Sequence, residues 1–552
     1  MIRRLLIVIV ALGALPVAAQ PDGDPASVQG QVLNAVTGEV LRKAQVILMR
    51  IGGGGRSGEG NRAPLSALTD AGGNFEITDV PPGQYRLSVQ RQGFARQEYG
   101  QRTSNRSGTT LLIGPGQHLR DITVKLLPSA VITGRVINED GEPASNVRVS
   151  ALRSTYSQGR RELAPAAFAM SNDLGDYRIF GLAPGRYYIQ INPGPVIGGG
   201  FFGGRMAAAV EEGYAALFYP NTADPEQAAP VELAPGQEMR GIDFSLSPVR
   251  TARVRGRLTG LPEGRRNASV FLMPRNRRIG GFAIPRSPNA VAPDGSFDLR
   301  GVIPGSYFLI ATVQVNRDVH RARVPIEVGP DGLNDLEVPL VPAMELQGTV
   351  RVEGGGNLDA GPLRLVLIPR EPEVVGGGGH NAAVNPDLSF AVRNVAPNAY
   401  FVNLMGLPED YYVKSARFGT EEALAGGLDL TGGFAAARLE ILVGPGGQIT
   451  GGVMREGRPT PGATVVLVPE TNRRGNPTLF KAVTANEEGG YMIQGIPPGE
   501  YKLFAWEDVE PGAYFDPDFL RRYENSGQSV TVRERGQEMI TLTAISGAAA
   551  GY

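Results

Sequence analysis

An internal fivefold recurrence constrains this chain more than any other feature. The stretch NFEITDVPPGQYRLSV at 74–89 alternates apolar and polar residues, meets a proline–glycine turn and resumes alternating at a tyrosine. The arrangement returns as DYRIFGLAPGRYYIQI at 176–191, SFDLRGVIPGSYFLIA at 296–311, SFAVRNVAPNAYFVNL at 389–404 and GYMIQGIPPGEYKLFA at 490–505. A second marker precedes each hairpin: VQGQV, ITGRV, VRGRL, LQGTV and ITGGV, around Gly30, Gly134, Gly256, Gly348 and Gly451. Those glycines are spaced 104, 122, 92 and 103 residues apart; the hairpin tyrosines, Tyr85, Tyr187, Tyr307, Tyr400 and Tyr501, are spaced 102, 120, 93 and 101 apart. Two independent markers keep one step, so the units are duplicates. A step near a hundred residues is too long for a solenoid repeat and fits a small domain.

Inside a unit the pattern is all β. Unit one reads as VQGQVLN, AQVILMR, PLSALTD, NFEITDV, QYRLSVQ, TLLIG and DITVKLL, about seven short strands separated by turn signals. That pattern predicts a β-sandwich. Alternation puts Tyr85, Leu87 and Val89 on one face. In the turn, Pro82 suits the second position of a type II turn, and Gly83 the third, where φ is positive. Unit four has Asn398 there, the next most tolerant residue. The expected order is a signal peptide at 1–19, sandwiches at 20–127, 128–248, 249–342, 343–445 and 446–546, and a tail at 547–552. Short, proline-marked junctions such as 127–130 and 444–446 predict a semi-rigid rod.

Arg3 and Arg4, the apolar run 5–15 and the small residues Val17, Ala18 and Ala19 read as a secretory signal. The expected location is therefore periplasmic or extracellular, with no integral membrane segment in the mature chain. The chain has no cysteine, so no disulfide helps hold it. The 75 glycines and 43 prolines without a collagen period indicate many turns, and 42% hydrophobic content argues against general disorder. A formal charge of −1 gives no reason to expect nucleic acid or an anionic membrane as partner.

The paired signature resembles the carboxypeptidase regulatory-like domain. Unit one carries it as Asp70, Gly73, Phe75, Pro82, Gly83 and Tyr85; units two, three and five match well, and unit four is weaker, with Asp387-Leu388-Ser389-Phe390. The resemblance implies a transthyretin-like, seven-stranded sandwich of the Ig-like and carbohydrate-binding-like group, in tandem copies, in an exported bacterial protein. It is specific for fold, because its residues make turns and core.

Catalytic sets are not apparent. The three histidines, His118, His320 and His380, fall in different units, so no unit holds a histidine zinc site. No G-x-S-x-G elbow occurs, and the glycine runs lack the lysine of a phosphate loop. The expectation is no enzyme, no metal and no cofactor.

The most informative residues lie at 504–530. Trp506, the only tryptophan, falls on the strand face opposite Tyr501, Leu503 and Ala505. Equivalent positions hold Gln90, Asn192, Thr312 and Met405, mostly polar, so this face is expected to point outward. Tyr514, Phe515, Phe519 and Tyr523 follow, interleaved with Asp516 and Asp518. Aromatic faces stack on sugar rings and carboxylates accept from hydroxyls, which makes these seven the candidate ligand site. The competing reading folds the loop back and buries Trp506 with Phe504. A parallel aromatic segment, with Tyr214, Phe218 and Tyr219, occupies the same place in unit two. The expected function is a non-enzymatic binding or adhesion protein with a polysaccharide or cell-surface protein as partner. The alternative is a structural spacer or envelope scaffold.

Overall fold

The computed structural model describes residues 26–51, 64–101, 108–157, 159–193, 212–263, 267–275, 289–316, 318–342, 344–370, 380–432 and 438–546. The signal peptide, most of the glycine runs at 51–60 and 374–380, most of the 195–221 insertion and the tail lie outside them. The protein is an all-β assembly of paired sheets; the described residues include one α-helix, Pro517–Tyr523. None of their helices is long and apolar enough to cross a membrane.

Among the described residues, five of the six apolar clusters are each drawn from one stretch of chain: 26–126, 130–246, 252–340, 346–443 and 449–544. The first sheet of each is built around the opening strand. In unit one Ala26–Asn34 pairs antiparallel with Asn74–Val80 and parallel with the closing strand His118–Leu126. Units three and four repeat this with Ala252–Thr259 and Met344–Val352. In the second sheet, Gln45–Ile51 pairs with Gly83–Gln90, placing Val46, Leu48, Leu87 and Val89 in the core.

The recurrent glycine of the opening strand has a steric cause. A Cβ on Gly30 would lie 1.9 Å from the carbonyl oxygen of Ile122 on the closing strand, and one on Gly256 would lie 2.2 Å from that of Leu336. The parallel ladder slips register beside both, between Val28 and Gly30 and between Val254 and Gly256. At that bulge the partner backbone occupies the space of a side chain.

The recurrent tyrosine is a corner. Tyr85, Tyr187, Tyr307, Tyr400 and Tyr501 each donate the hydroxyl to the carbonyl four residues upstream, of Pro81, Ala183, Ile303, Ala396 and Pro497, at 2.7, 2.7, 2.8, 2.8 and 2.9 Å. The hydroxyl thus staples the turn to the core its ring fills. Burial pushes the Tyr501 phenol up to about 12.

Two expectations are corrected. Gly83 has φ 159°, almost extended, and Asn398 has no positive φ, so the proline–glycine turn is not type II. The left-handed residue lies four positions earlier: Asp79, Gly181, Gly301, Asn394 and Gly495, with φ between 57° and 75°. These are the residue types that tolerate that region. The opening strand slips register opposite them, between Ala26 and Val28 in unit one and between Gly447 and Ile449 in unit five.

Nor is the chain a rod. Tyr156 of unit two packs against the second apolar cluster of unit five, 6.4 Å from the Phe519 ring. Lys414 of unit four bridges Glu353 of its own unit and Glu534 of unit five, at 2.5 and 3.2 Å. Proline stiffens each junction, but side-chain packing between distant units folds the chain back.

Candidate functional site

The unit-five loop begins at the strand Gly499–Trp506. Its parity is as the sequence predicts: Tyr501, Leu503 and Ala505 enter the sandwich core, while Phe504 and Trp506 face the other way. Outward here does not mean exposed. Trp506 and Phe504 both have 0% exposure, because the chain after the strand returns over them. They anchor a sixth cluster with Val466, Val468, Val509, Phe519 and Leu520.

The lid forms for local reasons. Asp516 caps the helix Pro517–Tyr523, its carboxylate accepting from the Asp518 backbone N–H at 2.8 Å, and Pro517 takes the first-turn position where no N–H is needed. The helix turns Phe519 and Leu520 inward. The indole of Trp506 stacks on Phe504 at 5.1 Å and 8°, and meets Tyr523 edge-on at 5.9 Å and Phe519 at 5.9 Å. Phe515 meets Phe480 at 5.0 Å and Tyr514 at 4.7 Å. The indole Nε1 is buried and meets no acceptor among the described residues.

Ion pairs fasten the lid's end. Glu524 binds Arg474 at 3.0 Å and Lys502 at 2.8 Å. The Arg474 hydrogen bond outweighs partial burial and, with help from Lys502, holds the Glu524 carboxyl down at about 2. Asp518 pairs with Arg521 at 3.0 Å along the helix surface. A hairpin of unit two closes the far side: a Cβ on Gly159 would lie 2.6 Å from the Phe515 carbonyl oxygen, and one on Gly512 would lie 3.2 Å from the Tyr156 Cβ. Burial, with Asp516 and Glu510 nearby, raises the Tyr156 phenol above its ordinary range.

The structure therefore brings all seven sequence-chosen residues together, but as a packed latch. Of the two readings of Trp506, the structure has the folded-back one: its neighbours are aromatic rings of its own chain. Asp516 and Asp518, chosen as hydroxyl acceptors, cap and pair within the helix. Sequence reasoning missed Tyr156, Phe480 and Arg474, none of which a local motif marks. In unit two, Phe218 is buried, Tyr219 meets Phe244 at 6.3 Å and the Tyr214 hydroxyl donates to Glu139 at 2.9 Å. His118 Nδ1 lies 2.8 Å from the Ser27 hydroxyl. Among the described residues, no group of three His, Cys, Asp or Glu side chains could hold a metal.

No curated protein matches the chain. Solved structures similar to it include the Bacillus anthracis TIE protein, at 11% identity over 58% of this chain and 51% of that one, with a TM-score of 0.15. A streptococcal ancillary pilin has 11% identity over 58% of this chain and 100% of its own, with a TM-score of 0.19. GBS52, the minor pilin of Streptococcus agalactiae, has 13% identity over 41% of this chain and 96% of its own, with a TM-score of 0.22. Within the chain, residues 27–126, which form the first sandwich with its bulge glycine and tyrosine corner, match the family model of the Carboxypeptidase regulatory-like domain.

Proposed function

We propose that the protein is a non-enzymatic exported binding scaffold, its five sandwich units acting as separate domains with the boundaries given above. One observation supports this most: the side chains that recur in all five units are consumed by architecture. The glycines admit a carbonyl, the tyrosine hydroxyls staple turns, and the left-handed Asp, Asn and Gly residues make bulges. The outer faces differ between units, as in proteins that bind through varied surfaces on a constant frame. A polysaccharide or a cell-surface protein is the partner class this reading favours. The contact between units two and five favours a folded-back scaffold over an extended spacer.

The reading is tested by passing the purified chain over immobilised polysaccharides and, separately, incubating it with glycan and peptide substrates. Retention without turnover is expected. Turnover of any substrate, lost on mutation of residues in one unit, would overturn it.

A further inference from the structure

Unit three departs from the other four on the outer face of its first sheet. The opening strand Ala252–Thr259 turns Arg253, Arg255 and Arg257 away from the core, between inward Val254 and Leu258. Arg300 joins them from the neighbouring strand Ser296–Val302, on which Asp298 lies opposite Arg255. Three guanidinium groups converge on the Asp298 carboxylate, from Arg253 at 2.5 Å, Arg300 at 3.0 Å and Arg255 at 3.7 Å. Arg257 stands 3.8 Å from Asp294. Across the sheet, the strand Leu333–Pro339 contributes Asp335 and Glu337. Between these rims lies a groove of about 910 Å³ with Val291, Pro293 and Leu336 in its walls.

The repeat supplies its own control. The positions of Arg253, Arg255, Arg257 and Arg300 hold Ser27, Gln29, Gln31 and Thr78 in unit one, and Gln448, Thr450, Gly452 and Gln494 in unit five. Units two and four have one arginine each in the set, Arg135 and Arg393. The sandwich therefore closes without these side chains, and exposed ion pairs add little to stability. The arginines also fit a wider asymmetry. Residues 249–342 contain 14 arginines, no lysine and 8 acidic residues, a formal +6, while residues 20–248 and 343–552 together carry −9. Near-neutrality of the whole chain hides a basic unit whose field attracts anions.

We propose that this face of unit three binds an acidic polysaccharide, one bearing carboxylate or sulfate groups. Each arginine presents five donors in a planar fork, so sharing Asp298 leaves donors free for an incoming anionic group. Asp335 and Glu337 accept from sugar hydroxyls, and Pro293 packs against the carbon face of a ring. The interleaved carboxylates favour a hydroxyl-rich polyanion over a phosphate backbone, which would meet them with few donors of its own. This assignment rests on the glycan reading above and moves it from the unit-five loop to unit three.

The test measures binding of the purified chain to polygalacturonate, dextran sulfate, neutral dextran and duplex DNA at fixed salt. The variant Arg255→Gln/Arg257→Gln installs the residues unit one already carries, Gln29 and Gln31, so the thermal melt should not move. A control, Arg178→Gln/Arg240→Gln on unit two, removes the same charge elsewhere. At least one acidic polymer should bind, with the groove variant weakening it about tenfold and the control less than about twofold. Preference for polygalacturonate or dextran sulfate identifies carboxylate or sulfate as the recognised group. Equal weakening by both variants would reduce the effect to net charge and overturn the site. DNA held more tightly and lost through the groove variant would overturn the glycan assignment. Retention of neutral dextran alone overturns the site and spares the broader reading, whereas retention of no glycan overturns both. A groove variant that unfolds would overturn the claim that these arginines are not architectural, and Arg300→Gln would then carry the binding comparison.

Discussion

The second sheets of units one and five share a frame and have opposite outer faces. In unit one the outer positions hold the exposed Gln45–Gln90 pair, a Met49 that is 50% exposed and a Ser88 that is buried beneath Arg96. In unit five the corresponding register holds Thr464 opposite Trp506, Val466 opposite Phe504 and Val468 opposite Lys502. Trp506, Phe504, Val466 and Val468 are all fully buried. The same strand parity thus yields a polar, partly solvated face in one unit and a second apolar core in the other. The difference comes from the next stretch of chain: in unit five the strand leads into a capped helix that lies back over the sheet. Strand parity sets which way a side chain leaves the sandwich, and the segment packed over that face sets whether it meets solvent.

The largest effect that sharpens this comparison comes from the second core. Trp506→Ala should destabilise unit five by about 3–5 kcal/mol, read as a lowered melt, because the cavity sits among rings fixed by a helix and a neighbouring unit. The matching change in unit one, Gln90→Ala, should shift stability by less than about 0.5 kcal/mol. Comparable effects on both would erase the distinction.

The shared frame is tested next by adjacent glycines. Gly451→Ala would put a Cβ 1.7 Å from the Ile540 carbonyl oxygen, whereas Gly452→Ala meets nothing within 4 Å. The first should cost about 3 kcal/mol and the second within about 0.5 kcal/mol, both read by chemical denaturation. Tyr501→Phe keeps the ring and removes the staple to Pro497, for an expected loss of about 1 kcal/mol, and Tyr85→Phe should lose about the same in unit one.

The smallest effect concerns the clasp at the lid's end. Glu524 has its folded pKa depressed to about 2 from an ordinary 4.5. Its contribution is therefore present above the ordinary value and is lost as pH falls through the folded one. Because the side chain is about one-third exposed, the wild type should exceed Glu524→Gln by about 1 kcal/mol or less near neutrality. That margin should shrink from about pH 4.5 downward and vanish near pH 2 in melts of the two proteins. A margin that grows on acidification would contradict the clasp.

Much of this was legible in the sequence because local spacing dictates it. Alternation placed Tyr85, Leu87 and Val89 inside, and placed Phe504 and Trp506 on the opposite face. The recurrence marked Gly30 and Tyr85 and their counterparts as structural, although only the backbone contacts reveal why. The left-handed residue was misplaced because a proline–glycine pair is the stronger turn signal. The column Asp79, Gly181, Gly301, Asn394 and Gly495 held the answer, since only Gly, Asn and Asp occur in it. The cover over Trp506 was less accessible: an aromatic loop reads alike whether it meets a sugar or its own sheet. Tyr156 was the least accessible, lying 350 residues from Trp506 in a strand that nothing local distinguishes.

Because Trp506 is the only tryptophan, its emission reports this account directly. Blue-shifted fluorescence, shielded from acrylamide and unchanged by saturating polysaccharide, is the expected result for an indole packed between Phe504, Phe519 and Tyr523. Emission typical of an aqueous indole, quenched as readily as free tryptophan in the folded protein, would contradict the latch and restore the open aromatic platform.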